Sequence, residues 1–291
     1  MPDGKKLKPQ HAPKVAHQDP KFLGSTPARP IRILGEYIHP LVQLKNEGIG
    51  DTIVMFGSAR IESHETAHAR YTRLKREKIS KMSARALKEH RAALRHAKSL
   101  LEMSRYYEEA RQLSHKITSW ALSLGPKPRR FVICSGGGPG IMEAANRGAS
   151  EAGGKSIGLS IELPHEQFAN PYISPELSFN FKYFFMRKLW FAQIAKALIV
   201  FPGGFGTMDE LWEMLTLLQT GKLAKHNLIL IYGKKYWDAV LNWRAMVRWG
   251  TINEEEYNML QFADTVDDAF ERIRGGLEKY HMQVDPFLQA Y

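Results

Sequence analysis

The sequence predicts an α/β protein, a doubly wound parallel sheet carrying an N-terminal arm and a helical insertion. Three observations carry this. Short β-rich runs alternate with helix-forming stretches, two glycine clusters each stand between such a run and a helix, and 64 residues from Ile61 to Leu124 contain neither Gly nor Pro. Strand, Gly-rich turn and helix in repetition is the pattern of a parallel sheet covered on both faces.

Taken in order, residues 1–20 are rich in Pro, Lys and His with little to bury, and are expected to form a mobile basic tail. Residues 21–50 form an N-terminal arm, where Ile31, Ile33, Leu34, Tyr37, Ile38, Leu41 and Leu44 suggest a short helix or wrapped segment. Strands are expected at Thr52–Phe56, Arg130–Cys134, Ser156–Ile161, Ala197–Phe201 and Asn227–Tyr232. Helices are expected at Ile141–Ala152, Thr207–Thr220, Tyr236–Trp249 and Val266–Lys279. These make one Rossmann-like domain over 51–280, with long helices in an insertion near 62–102 and a tail at 281–291.

Composition narrows the function classes. With 44% hydrophobic and 24% charged residues the chain can bury a core, and its longest apolar runs are strand-length, too short for a bilayer. A single Cys excludes an intramolecular disulfide and suggests a reducing, cytoplasmic setting; Cys134 itself reads as a small buried residue. The first residues lack the apolar core of a secretory signal. The +11 charge is uneven: residues 61–130 carry +10 and residues 131–291 carry −3. Arg70, Arg73, Lys75, Arg76, Lys78 and Lys81 cluster, but Glu62, Glu65, Glu77 and Glu89 interleave. A solvated helix face is the favoured reading over a nucleic-acid site, with the insertion's apolar side packing on a sister subunit.

The two glycine loops carry the chemistry. Ser135-Gly136-Gly137-Gly138-Pro139-Gly140 and Pro202-Gly203-Gly204-Phe205-Gly206-Thr207 each follow an apolar strand and open a helix. There, bare backbone N–H groups and the helix dipole can meet a phosphate, and a Cβ would block its approach. Gly57-Ser58-Ala59 adds a third turn on the same edge, which makes Ser58 a further phosphate candidate. No Lys follows either cluster in Walker spacing, and the first cluster lacks the dinucleotide spacing, so ATP and NAD are disfavoured.

With Phe56-Gly57-Ser58, the run Gly136–Ala149, Met186-Arg187-Lys188 and Pro202–Glu210 in place, the sequence resembles the lonely-guy family. These are cytokinin riboside 5'-monophosphate phosphoribohydrolases with bacterial relatives labelled lysine decarboxylase-like. The resemblance spans about 50–60 and 103–245. It implies hydrolysis of the N-glycosidic bond of a nucleoside 5'-monophosphate, AMP or a cytokinin riboside monophosphate, to free base and ribose 5-phosphate. It also implies Arg187 and Glu210 as catalytic residues, substrate contacts at Lys188, Gly203–Thr207, Thr216 and Glu166, and a homodimer or a multiple of one. Plant members lack the arm and the insertion.

The chemistry is consistent with these residue types. Cleaving a C–N glycosidic bond builds positive charge on the ribose, which a carboxylate stabilises while it activates water. Glu210 follows Thr207 by three residues, so it can face the phosphate cradle; the same spacing also spells a capping box. Arg187 would clamp phosphate or orient Glu210, and Glu213 is a supporting carboxylate. The scheme requires no metal and no cofactor. Pyridoxal phosphate would need a Schiff-base lysine, and none of the lysines stands out for that role. The alternative is a non-catalytic protein that binds a nucleotide or another phosphate ligand on the same fold.

Overall fold

Thr52–Phe56 (β1) is buried along its whole length and pairs with a strand on each side, so it lies at the centre of the sheet. A computed structural model of the chain describes residues 14–77, 80, 82–163, 169–223 and 226–282. Most of the expected tail, residues 1–13, and nearly all of the C-terminal one, residues 283–291, fall outside the described residues, as does Glu166.

The helices before β1 are α1 (Pro20–Gly24) and α2 (Arg29–Asn46). After β1 come α3 (His64–Arg76), α4 (Ala84–Met103) and α5 (Arg105–Ser123). Then follow β2 (Val132–Ser135), α6 (Ile141–Glu151), β3 (Ser156–Ile161) and β4 (Ser178–Phe181). The second half runs α7 (Phe184–Ile194), β5 (Ala195–Val200), α8 (Phe205–Gln219) and β6 (Leu228–Tyr232). It ends with α9 (Lys234–Val240), α10 (Trp243–Arg248), α11 (Glu254–Asn258), β7 (Leu260–Ala263) and α12 (Val266–His281).

All paired strands are parallel, in the order β4-β3-β2-β1-β5-β6-β7. The fold is therefore the doubly wound α/β sheet. The period-2 alternation of strands sends Val54, Phe56, Leu198 and Val200 to one face and Ile53, Met55, Ala197 and Ile199 to the other. The first face is covered by α2, α7, α8, α9 and α10, the second by α5, α6 and α12. Cys134 sits fully buried on β2, and burial pushes its thiol well above the ordinary range.

Several elements differ from expectation, among them the unassigned short helix α11. The edge strands β4 and β7 have four residues each and were not anticipated. In β4, Phe179 and Phe181 alternate with exposed Ser178 and Asn180, a weak signal flanked by loop-like sequence. The segment Phe184–Ile194 was assigned no element; it is helical, and its apolar residues do not gather on one side. The single helix expected over Tyr236–Trp249 is two, because Leu241 turns extended and Asn242 caps a new start by accepting from Ala245 N.

The insertion is a helical hairpin. Ala67 and Ala97 are buried, Leu74, Leu87, Leu94 and Leu101 are half-buried, and α3 and α4 pack on each other and on α5. At the amino edge of the sheet, Asp51 accepts from Arg130 Nε at 2.8 Å and from Phe131 N at 2.5 Å, tying β1 to β2. None of the described helices is long and apolar enough to cross a membrane.

Candidate active site

Order reverses at β1, where the chain, having laid β2 to β4 outward on one side, returns to place β5 on the other. In such sheets a crevice opens beyond the carboxyl ends of the two strands at the switch. Here that crevice is a 570 Å³ cleft lined by Phe56–Arg60, Gly136, Met142, Arg187, Gly204–Met208 and Glu210. Two sequence-distant glycine loops reach it because β2 and β5 flank β1.

The α8 end of the cleft is built to receive an anion. Gly204 is the N-cap and no side chain caps the helix, so the N–H groups of the first turn, Phe205 to Thr207, have no intrahelical acceptor. Gly204, Phe205 and Gly206 are exposed while Thr207 is buried. Gly203 lies beneath: a Cβ there would stand 2.1 Å from Thr207 Oγ1, and its carbonyl accepts from Tyr236 Oη at 2.8 Å. Because α8 starts at Phe205, Thr207 is the third helical residue and not the N-cap. The capping-box role for Glu210 is thereby excluded.

Glu210 is 4% exposed, and Arg187 Nη2 donates to its Oε1 at 3.2 Å. Burial raises the Glu210 pKa above the usual carboxylate value, against the pull of Lys188 and Arg187, with Glu213 and Asp209 adding to the rise. The Arg187 guanidinium lies over the rings of Phe184, at 5.2 Å, and Phe191, at 5.7 Å, and its Nε is buried without a partner among the described residues. Lys188 faces the flank of α8, bonded to Glu213 at 2.6 Å and Asp209 at 2.9 Å. Burial works against its charge, but these two carboxylates outweigh it and raise its pKa. The supporting carboxylate Glu213 thus engages Lys188 and not Glu210.

The first glycine loop is used differently. Gly136 lines the cleft, whereas Gly137, Gly138 and Gly140 are buried. The carbonyls of Gly137 and Gly138 accept from Asn170 Nδ2, each at 3.1 Å, and Asn170 bonds on to Asn146. Gly140 has φ +72°, and a Cβ on it would meet Ser58 O at 2.4 Å. That same Ser58 carbonyl accepts from Ile141 N at 3.1 Å, so the turn after β1 is locked onto the start of α6.

The structure thus brings Ser58, Gly136, Arg187, Gly204, Gly206, Thr207 and Glu210 together in one cleft. Lys188 and Gly203 lie just behind it. Thr216 does not line it: exposed, its hydroxyl donates to the Trp212 carbonyl on the same helix at 2.7 Å. Sequence reasoning missed Arg60, Met142 and Met208 as lining residues, while Phe205 falls inside the expected Gly203–Thr207 loop. Phe205 stands inside the second motif, 93% exposed, and Arg60 follows Ser58 by two residues. Their nearness to the motifs was the available signal.

The chain is similar to known proteins over parts of its length. Over 103 residues the chain is 32% identical to a pyrimidine/purine nucleotide 5'-monophosphate nucleosidase of Escherichia coli strain K12, 31% of this chain and 21% of that protein. The chain thus matches about a fifth of the length of its curated relatives. Among solved structures it is similar to a molybdenum cofactor binding protein from Rippkaea orientalis, at 17% identity and TM-score 0.41, covering 58% of this chain and 86% of that one. It is also similar to the Moco carrier protein of Chlamydomonas reinhardtii, at 16% identity and TM-score 0.44, covering 79% and 98%. Residues 142–273, which hold Arg187, Glu210 and the whole second glycine loop, match the family model described as "Possible lysine decarboxylase".

Proposed function

We propose that the protein hydrolyses the N-glycosidic bond of a nucleoside 5'-monophosphate, releasing the base and ribose 5-phosphate. One observation carries the reading: a buried carboxylate with a raised pKa, Glu210, shares a cleft with the uncapped amino end of its own helix. The 5'-phosphate would sit on the amides of Phe205, Gly206 and Thr207, where the helix dipole favours negative charge. That anchors the ribose toward Glu210, five residues into the helix. As the C1'–N bond breaks, charge develops on the ribose, and the ionised carboxylate stabilises it and orients the attacking water. A C1'–O bond forms, and the proton lost by water ends on the departing base. Arg187 keeps Glu210 ionised and fixed. The segmental likeness to a nucleotide 5'-monophosphate nucleosidase supports the same chemistry.

Incubating pure protein with AMP, GMP, CMP, UMP and an isopentenyladenosine monophosphate, with chromatographic detection of free base, tests the reading. Release of base from at least one, lost in Glu210→Gln, is the expected result. Tight binding of the monophosphates with no release from any would overturn it in favour of a phosphate-ligand carrier.

We further propose that the working form is a homodimer closed over α2. That helix is apolar on two sides. Ile33, Tyr37, Leu41 and Leu44 pack inward, while Ile31, Leu34, Ile38 and Val42 recur at helical spacing and are 51%, 55%, 44% and 47% exposed. Exposed apolar side chains gathered in one stripe mark a contact surface, and the matching stripe of a second copy would cover this one.

A further inference from the structure

We propose that the α3–α4 hairpin is a docking surface for the phosphate backbone of a nucleic acid. Residues 61–103 hold eleven Lys and Arg against five Asp and Glu, whereas the sheet's second half is slightly acidic. The interleaved glutamates made a neutral, solvated face the plainer expectation. The structure pairs four of the five acids, and the fifth, Glu65, lies exposed in the first turn of α3. Glu62 pairs with Arg70, Glu77 with His90, Glu89 with Arg85, and Glu102 with Lys98.

What remains is a cationic stripe. Lys88, Arg91 and Arg95, with Lys98, recur at i, i+3, i+7 and i+10, so they share one flank of α4, and all are exposed. Among the described residues, Lys88, Arg91 and Arg95 make no ion pair. At about 1.5 Å rise per residue, these three span roughly 10 Å along the axis, with Arg91 and Arg95 about 6 Å apart. That is close to the spacing of successive phosphates along a strand. Arg73 and Arg76 on α3 add exposed positive charge without acidic partners.

The stripe fits a nucleic acid better than a membrane. A surface-lying membrane helix needs large apolar side chains beside its cations. On α4 the leucines Leu87, Leu94, Leu100 and Leu101 are half-buried, and the exposed residues other than the charged ones are small or polar, among them Ala92, Ala93, His96 and Ser99. No aromatic side chain lies on the flank of the stripe, so contact is with phosphate and not with bases, and sequence preference is weak.

The test is fluorescence anisotropy of the full chain with a labelled 20-nucleotide RNA and a 20-base-pair DNA at 50 and 200 mM KCl. Neutralising three phosphates gives a log–log salt slope of roughly −2.7 for the duplex and roughly −2.1 for the single strand, affinity losses of about 40-fold and about 20-fold across that range. The Lys88→Gln, Arg91→Gln, Arg95→Gln triple variant should bind at least tenfold more weakly with a shallower slope. Glu102→Gln, which removes the one acid on the stripe and releases Lys98, should bind more tightly. Affinity unchanged in the triple variant, absence of salt dependence, or equal binding to vesicles containing phosphatidylglycerol would each overturn the proposal. None of these readouts depends on the cleft, so failure here leaves the glycosidase reading untouched, and the reverse holds.

Discussion

Arg187 Nη2 reaches Oε1 of Glu210 at 3.2 Å across the gap between α7 and α8, while Nε of the same guanidinium is buried with no acceptor among the described residues. The pair is held, but one donor is left to spare. Glu210→Gln keeps the shape and removes the charge, so base release should fall by about 10²–10⁴, the range of a lost acid–base group, with KM for AMP little changed. Arg187→Lys, which keeps charge but loses the planar fork, should fall less. Steady-state kinetics of the two variants checks both.

Burial comes first among the causes that raise the Glu210 pKa, and the sign of its pH dependence follows. A carboxyl whose folded pKa is raised binds its proton more tightly when folded. Its stabilising contribution is complete below the unfolded value near 4.5 and is lost as pH rises through the folded pKa. Wild type should therefore lose Tm relative to Glu210→Gln as pH is raised from 4 to 8. Activity runs the other way: the acid limb of kcat should have its midpoint above 4.5, because the ionised carboxylate does the work. Thermal scans and pH–rate profiles on one set of buffers read both.

The glycines divide into two kinds. Gly140→Ala forces a side chain onto φ +72° and against the Ser58 carbonyl, so it should cost about 2 kcal/mol or more of unfolding free energy, read by urea denaturation. Gly206→Ala meets nothing within 4 Å and lies on the open cleft. It should leave stability nearly unchanged and raise KM for a monophosphate substrate, because its methyl enters the space in front of the amides.

Arg130→Ala strips a buried carboxylate of its cation at the opposite edge of the sheet. Asp51 is fully buried and Arg130 is 12% exposed, so the loss should reach about 3 kcal/mol. KM should not change, since the cleft lies at the other strand ends. Chemical denaturation alongside kinetics separates the two effects.

Leu34→Glu places a charge in the exposed stripe of α2. The expected outcome is a monomer by sedimentation velocity where the unaltered chain sediments as a dimer, with the circular dichroism spectrum retained.

Much of this arrangement is legible in the sequence, and the parts that are not share a cause. The central strands announce themselves because β1, β5 and β6 are buried on both faces and, apart from Thr52 and Lys196, are apolar. The edge strands β4 and β7 are short and partly solvated, so their patterns merge with the loops beside them. Glycine clustering marked the switch point, but not which glycines face a ligand. Gly137 and Gly138 are held by Asn170, a residue 32 or 33 positions away that no local pattern connects to them. Likewise, the Thr207–Glu210 spacing allowed a cap only if the helix began at Thr207, and it begins two residues earlier.

Cys134 has a practical consequence. It is the sole sulfhydryl of the chain, lies at zero exposure in the middle of the sheet, and is held protonated by its surroundings. Maleimide dyes should therefore ignore the native protein, so a thiol introduced at Ala92 on the outer side of α4 becomes a unique labelling handle without first mutating the natural one.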